Sequence, residues 1–351
     1  MRRTALLSAL VVAVSLAAAG AGSPSGIPSF DTVDGDLCPF PLDVSITGPL
    51  KNDEPATTAL ALAFTGRTTI LIRNEKTGRS VTLTSSGPTT VSRSNTVTFS
   101  GHHVWFWLAA PRIPYLATDG SGTFRAPRFL LSGSAKAKVL DPCALVAPAR
   151  PSTKPRATRA PWGLPAYPLT QMAYAGFTPL LGNLLRHDHV HLDLRVDGRK
   201  VTVPAGVGLV QPVDRGPCPP SPGNLPQGDC TTKNVYTAAV ANSPVHTHSS
   251  SGIIHIETDR KGTVTLGAFF DEWGVRLTSS CVGGYCTGGG KQLRAYVNGR
   301  RVTGSPRKIV LTNRQEVALV YGRASAFRSV PAKYAGGWPG LGCGGPGEFS
   351  C

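Results

Sequence analysis

The chain has 351 residues, more than one hydrophobic core usually fills, so two domains are expected. Hydrophobic residues make up 41% and charged residues 16%, which excludes a wholly disordered chain; 40 Gly and 30 Pro exclude a coiled coil and suit a turn-rich β architecture. Lys and Arg outnumber Asp and Glu by 36 to 20, a net charge of +16 that excludes an acidic-tail protein.

Arg2 and Arg3 precede an apolar run from Ala5 to Ala19, with small residues at Ala17, Ala19 and Ala21. A charged start, a short apolar stretch and an A-x-A site predict a secretory signal peptide over 1–22. The run is shorter than the roughly 20 residues of a membrane span, and no transmembrane segment is expected in the mature chain. Secretion, to the exterior or the cell envelope, places the chain where disulfides persist. The eight Cys are then read as pairs, and spacing favours Cys38–Cys143, Cys218–Cys230, Cys281–Cys286 and Cys343–Cys351. A Cys-ligated metal site wants C-x-x-C pairs, and the sequence has none.

Residues 30–147 read as short strands separated by turns. Leu42 to Ile46 alternates, and Thr69 to Arg73 is β-rich and ends at a turn from Asn74 to Gly78. Ser80 to Thr84 follows as a hairpin partner. Further strands are predicted at Thr96 to Phe99, Val104 to Leu108, Gly122 to Phe124 and Ala137 to Leu140. This spacing suggests an all-β sandwich. His102 and His103 lie after Gly101 in the approach to an apolar strand, and a loop or strand-entry role rather than a metal role is expected for them.

This segment carries Cys38-Pro39-Phe40-Pro41, Asn74 with Thr77-Gly78, Ser86-Gly87 and Asp141-Pro142-Cys143. In these it resembles a β-domain of uncharacterised secreted actinobacterial proteins. The shared motifs are turns and a disulfide rather than chemistry.

Residues 148–168 are rich in Pro and carry Arg150, Lys154, Arg156 and Arg159 with no acidic residue, which predicts a semi-extended linker. A small α+β domain is expected over 169–322, its order β-grasp-like. Residues 323–351 read as a Gly-rich tail closed by Cys343–Cys351.

Six of the eight His fall between 187 and 255. From His187 to Val196 the sequence alternates as a strand does. Val190, Leu192, Leu194 and Val196 then face a core, while His187, His189 and His191 share the other face with Asp193 beyond. Asp197-Gly198 signals a hairpin turn, with Lys200 to Val203 returning. His246-Thr247-His248 reads as a loop, followed by a strand from Ile253 on which His255 and Glu257 share one face. Thr265 to Gly274 suits a short helix with Thr265 as cap, an apolar stripe of Leu266, Phe269, Phe270 and Trp273, and Gly274 as stop. Strands are predicted at Leu293 to Val297, Ile309 to Leu311 and Val317 to Tyr321.

His189-x-His191-Leu192, Val203-Pro204-Ala205-Gly206-Val207-Gly208, His246-Thr247-His248, Gly252-Ile253-Ile254-His255-Ile256-Glu257 and Leu266-Gly267-x-Phe269-Phe270-x-x-Trp273-Gly274 resemble an uncharacterised bacterial and archaeal family. That resemblance implies no mechanism. A cupin motif is excluded because Glu257 stands nine residues past His248.

Imidazoles with a carboxylate suit Zn²⁺, Cu²⁺ or Ni²⁺. The candidate ligands are His187, His189, His191, His246, His248, His255 and Glu257. If the two strands share a sheet face, His246 and His248 close over the site. Three function classes follow: a secreted metal-binding module, a cell-wall or surface adhesion protein without metal, and a metal-dependent hydrolase or oxidoreductase. H-E-x-x-H and G-x-S-x-G are absent. The positive charge suits an anionic cell-wall polymer or membrane surface, and no basic stretch with interleaved aromatics points to nucleic acid.

Overall fold

The computed structural model describes residues 30–32, 38–47, 50–53, 60–92, 94, 96–106, 114–125, 131–179, 185–214, 236–258 and 261–338. The signal segment 1–22, the pairs Cys218–Cys230 and Cys343–Cys351, and the tail from 339 lie outside the described residues. The chain divides into two compact units, Met1–Pro151 and Ser152–Cys351.

The first unit is built of β1 (Phe30–Thr32), β2 (Leu42–Thr47), β3 (Leu50–Asp53), β4 (Leu60–Asn74), β5 (Ser80–Ser86), β6 (Thr89–Ser92), β7 (Thr96–Phe106), β8 (Pro114–Arg125), β9 (Ser132–Gly133) and β10 (Lys136–Val139). A short helix, α1 (Pro142–Leu145), follows. All ten strands join one hydrogen-bonded sheet, whose main path runs β1-β2-β4-β5-β7-β8-β10. Period-2 alternation buries Leu42, Val44 and Ile46. The turn after β4 forms because the Asn74 side-chain oxygen accepts the backbone N–H groups of Lys76 and Thr77, at 3.0 and 3.2 Å. The strands expected at 96–99 and from 104 are one strand, β7. His102 and His103 therefore sit inside it, neither in a loop nor at a strand entry, and His103 is buried edge-on to Phe99 with ring centroids 5.3 Å apart. Cys38 and Cys143 are bonded, tying the entry to β2 to helix α1.

The second unit comprises α2 (Pro168–Tyr174), β11 (Arg186–Val196), β12 (Arg199–Val201), β13 (Leu209–Asp214), β14 (Tyr236–Asn242), β15 (Val245–His246), β16 (Ile253–Thr258), α3 (Leu266–Trp273), β17 (Cys281–Val282), β18 (Tyr285–Cys286), β19 (Gln292–Val297), β20 (Arg300–Val302) and β21 (Gln315–Gly322). Its main sheet runs β15-β16-β11-β21-β19-β20, with β12 paired to β11. Only β11 and β21 pair in parallel within it. One face packs Val190, Leu192, Leu194, Ile254, Ile256, Val317 and Leu319 against α3.

Helix α3 has its expected ends: Thr265 Oγ1 accepts the Ala268 N–H at 3.2 Å, and Gly274 takes the left-handed conformation at φ 68°. Leu266, Phe269, Phe270 and Trp273 are fully buried. Each such side chain contributes about 1.5–3 kcal/mol by leaving water. The segment 309–311 is not a strand. It makes one bridge, Thr265 to Val310, and its carbonyl and amide bond Leu266 and Val264 at the start of α3.

Two segments read by composition as linker and tail are packed here. The Arg156 N–H donates to Gly274 O at 2.8 Å, and its guanidinium donates to Gly163 O and Trp273 O. Trp162 is buried edge-on to Trp273, with centroids 5.7 Å apart. Past β21, a 3₁₀ turn over Ala324–Phe327 sets Ala326, Phe327 and Val330 against Tyr296, Ala318 and Val320 on the second face of the sheet. Among the described residues no helix is long and apolar enough to cross a membrane.

Candidate metal centre

The alternation of β11 puts His187, His189 and His191 on the sheet face away from α3, together with Asp193. Strand β16 does the same for His255 and Glu257. The antiparallel register sets His189 opposite His255 and His187 opposite Glu257. On the other side of β16, the edge strand β15 sets His246 opposite His255. Cross-strand neighbours on one face have Cβ atoms about 4.5–5.5 Å apart, close enough for rings to meet. His246 is thus a strand residue, and only His248 comes from the loop.

That loop is held by the Val203 to Gly208 segment. Thr247 Oγ1 donates to Pro204 O at 2.8 Å and accepts the Val207 N–H at 3.1 Å, while the Thr247 N–H donates to Val207 O at 3.0 Å. Two glycines are required. Gly208, at φ +71°, has no room for a Cβ, which would run into the Val245 carbonyl oxygen. Gly252, at φ +95°, would place one 2.8 Å from Leu192 O and 3.1 Å from His191 Nε2.

His246, His248, His255 and Glu257 converge, each offering a ligand atom within 4.8 Å of the others'. His246 Nε2 stands 3.1 Å from His248 Nε2 and 3.9 Å from Glu257 Oε1. His255 Nδ1 is 4.0 Å from that oxygen. Ligand bonds of 2.0–2.1 Å in a tetrahedron put ligand atoms roughly 3.3–3.4 Å apart, so only small rotations close this set on one ion. His246 Nδ1 donates to Ser243 O at 2.8 Å, which fixes its tautomer and turns the Nε2 lone pair inward. His246 is wholly buried, and His255 and Glu257 are buried beside it. Burial, and then the neighbouring imidazoles of His248, His189, His246 and His187, hold the His255 pKa well below 6.5. It stays neutral, which is the ligating form.

A second set, His187, His189 and His255, meets the same distance limit. His187 Nε2 is 3.4 Å from Glu257 Oε1. His191, a sixth imidazole on this face, belongs to neither set. Its Nδ1 pairs with Glu316 Oε2 at 2.7 Å, and Tyr334 stacks on its ring with centroids 4.2 Å apart. Glu316 reaches it because the parallel register of β11 and β21 sets the two residues opposite each other. Asp193 is likewise engaged elsewhere, by the Arg195 guanidinium at 2.7 Å.

Glu316, Tyr334, Ser243 and Glu272 were not signalled by the sequence. Glu272 lies on α3 inside the core, where its Oε2 accepts from Ser243 Oγ at 3.1 Å and its Oε1 has no hydrogen-bond partner. Ser243 thus links Glu272 to the His246 tautomer. Burial pushes the Glu272 carboxyl well above its ordinary 4.5, with the Ser243 bond pulling the other way. The unfolded chain gives up this proton first as pH rises above 4.5, so the wild type loses stability as pH climbs from 4.5 towards the raised value. Glu272→Gln removes that slope and keeps an acceptor for Ser243. In urea melts its stability relative to wild type is expected to grow from pH 5 to pH 8. A constant difference across that range would contradict the raised carboxyl.

Compared with family models, with curated proteins and with solved structures, the chain gives no match.

Proposed function

We propose that this is an exported protein whose second unit binds a divalent transition metal ion, Zn²⁺, Cu²⁺ or Ni²⁺, on His246, His248, His255 and Glu257. The observation that carries this reading is the convergence of three imidazoles and one carboxylate on a buried sheet face. Three imidazoles and a carboxylate are costly to take out of water together, and a shared metal ion offsets that cost. Three His and one carboxylate also complete a four-coordinate shell. A closed shell suits holding an ion for storage, delivery or sensing, whereas a catalytic zinc site leaves a position open for water. Export rests on the charged and apolar N-terminus and on two disulfides among the described residues.

The test uses untagged protein stripped with a chelator and titrated with Zn²⁺ or Cu²⁺. Wild type is expected to retain metal through gel filtration. His255→Ala removes a ligand common to both sets and is expected to weaken binding at least 100-fold. No retained metal in the wild type, or undiminished affinity in a folded His255→Ala variant, would overturn the reading.

A further inference from the structure

We propose that the histidine face holds two metal ions side by side, with His255 and Glu257 shared between them; this rests on the metal-binding reading above. The argument starts from strand order. Strand β16 is flanked by β15 on one side and β11 on the other. Neighbouring strands lie about 4.7–4.9 Å apart, so β15 and β11 are separated by roughly 9.5 Å. One tetrahedral ion gathers ligand atoms only about 3.3–3.4 Å apart. The groups accordingly fall into two convergent sets rather than one, with His246 and His248 in the first and His187 and His189 in the second.

The residues of β16 stand at the seam. The His255 ring lies 4.5 Å from the His189 ring and 4.5 Å from the His248 ring, centroid to centroid. Imidazole carries two ring nitrogens, one for each side once its N–H proton has gone to solvent. Glu257 Oε1 lies 3.4 Å from His187 Nε2 and 3.9 Å from His246 Nε2, one from each set. A carboxylate has two oxygens and can bridge two ions while its charge offsets their repulsion. That repulsion is not abolished, so the second ion binds more weakly than the first. Each set has one half-buried imidazole, His248 in the first and His187, 18% exposed, in the second.

Stripped, untagged protein is dialysed against rising free Zn²⁺ and its metal content measured. Wild type is expected to saturate at two equivalents, the second at higher Zn²⁺. H187A/H189A and H246A/H248A, each checked for native circular dichroism, are expected to saturate at one. Wild type saturating at one equivalent, or H187A/H189A still taking two, overturns the paired site and leaves the single-ion reading standing. No bound Zn²⁺ at all overturns both. A measurement without variants uses the wild type loaded with two Cu²⁺. Ions sharing the His255 ring couple magnetically, so the integrated paramagnetic resonance is expected to fall short of two spins. Two full, uncoupled spins would overturn the sharing.

Discussion

Removing bound metal is expected to lower the melting temperature of the second unit by about 8–16 °C. An ion that binds only the folded state stabilises it by RT ln(1 + [L]/Kd), about 4.1 kcal/mol when the free ion stands at 1,000 times Kd. For a unit of 150–250 residues each kcal/mol moves the midpoint by about 2–4 °C. The condition that the unfolded chain lacks the site is met. Its ligands come from β15 and the loop after it, at 246 and 248, and from β16, at 255 and 257, and meet only through the β15-β16 pairing. Scanning calorimetry with and without chelator reads the shift. In His255→Ala the chelator is expected to have little effect, which assigns the shifted transition to the second unit. An unchanged wild-type midpoint on chelation would count against a structural role for the ion.

The parts of this centre that could be read from the sequence are those governed by local periodicity. Alternation from His187 to Val196 places Val190, Leu192 and Leu194 in the core, and these are fully buried. The same rule aligns His255 with Glu257. Helix α3 announces both of its ends through Thr265 and Gly274. Non-local pairing was not legible. His191 follows His189 by one period and looks equivalent to it, yet Glu316, 125 residues away, draws its ring aside. Nothing local to His191 encodes that. Composition also misleads where a few large residues decide the outcome. The segment 152–168 has the Pro and charge of a linker, but Trp162 finds a place against Trp273, and Arg156 finds three carbonyls. An aromatic side chain buries on the order of 150–250 Å², enough to fix a short extended stretch. The residues after β21 behave alike, because Phe327 and Tyr334 have an exposed sheet face to cover.

The Cys38–Cys143 bond is expected to be the largest single contributor to the stability of the first unit. It closes a loop with a sequence separation of 105. In the chain-entropy model, such a loop is worth about 4–5 kcal/mol because it restricts the unfolded chain. The separation of 5 at Cys281–Cys286 gives only about 2 kcal/mol on the same scale. Both residues of the longer bridge are buried, with Cys38 4% and Cys143 2% exposed. The folded ends meet there independently of the bond. Asp141 Oδ1 caps α1 by accepting the Ala144 N–H at 3.0 Å, and Asn74 Nδ2 donates to Val146 O at 3.1 Å. The double variant Cys38→Ala, Cys143→Ala therefore keeps a native end state in which to measure the loss, and alanine leaves no buried hydroxyl without a partner. Its melting midpoint is expected to fall by about 8–20 °C, at about 2–4 °C per kcal/mol. Cys281→Ala with Cys286→Ala is expected to cost roughly half as much, and in the other unit. If the two double variants cost the same, loop length does not set the stabilisation, and strain or residual structure in the unfolded chain must do so instead.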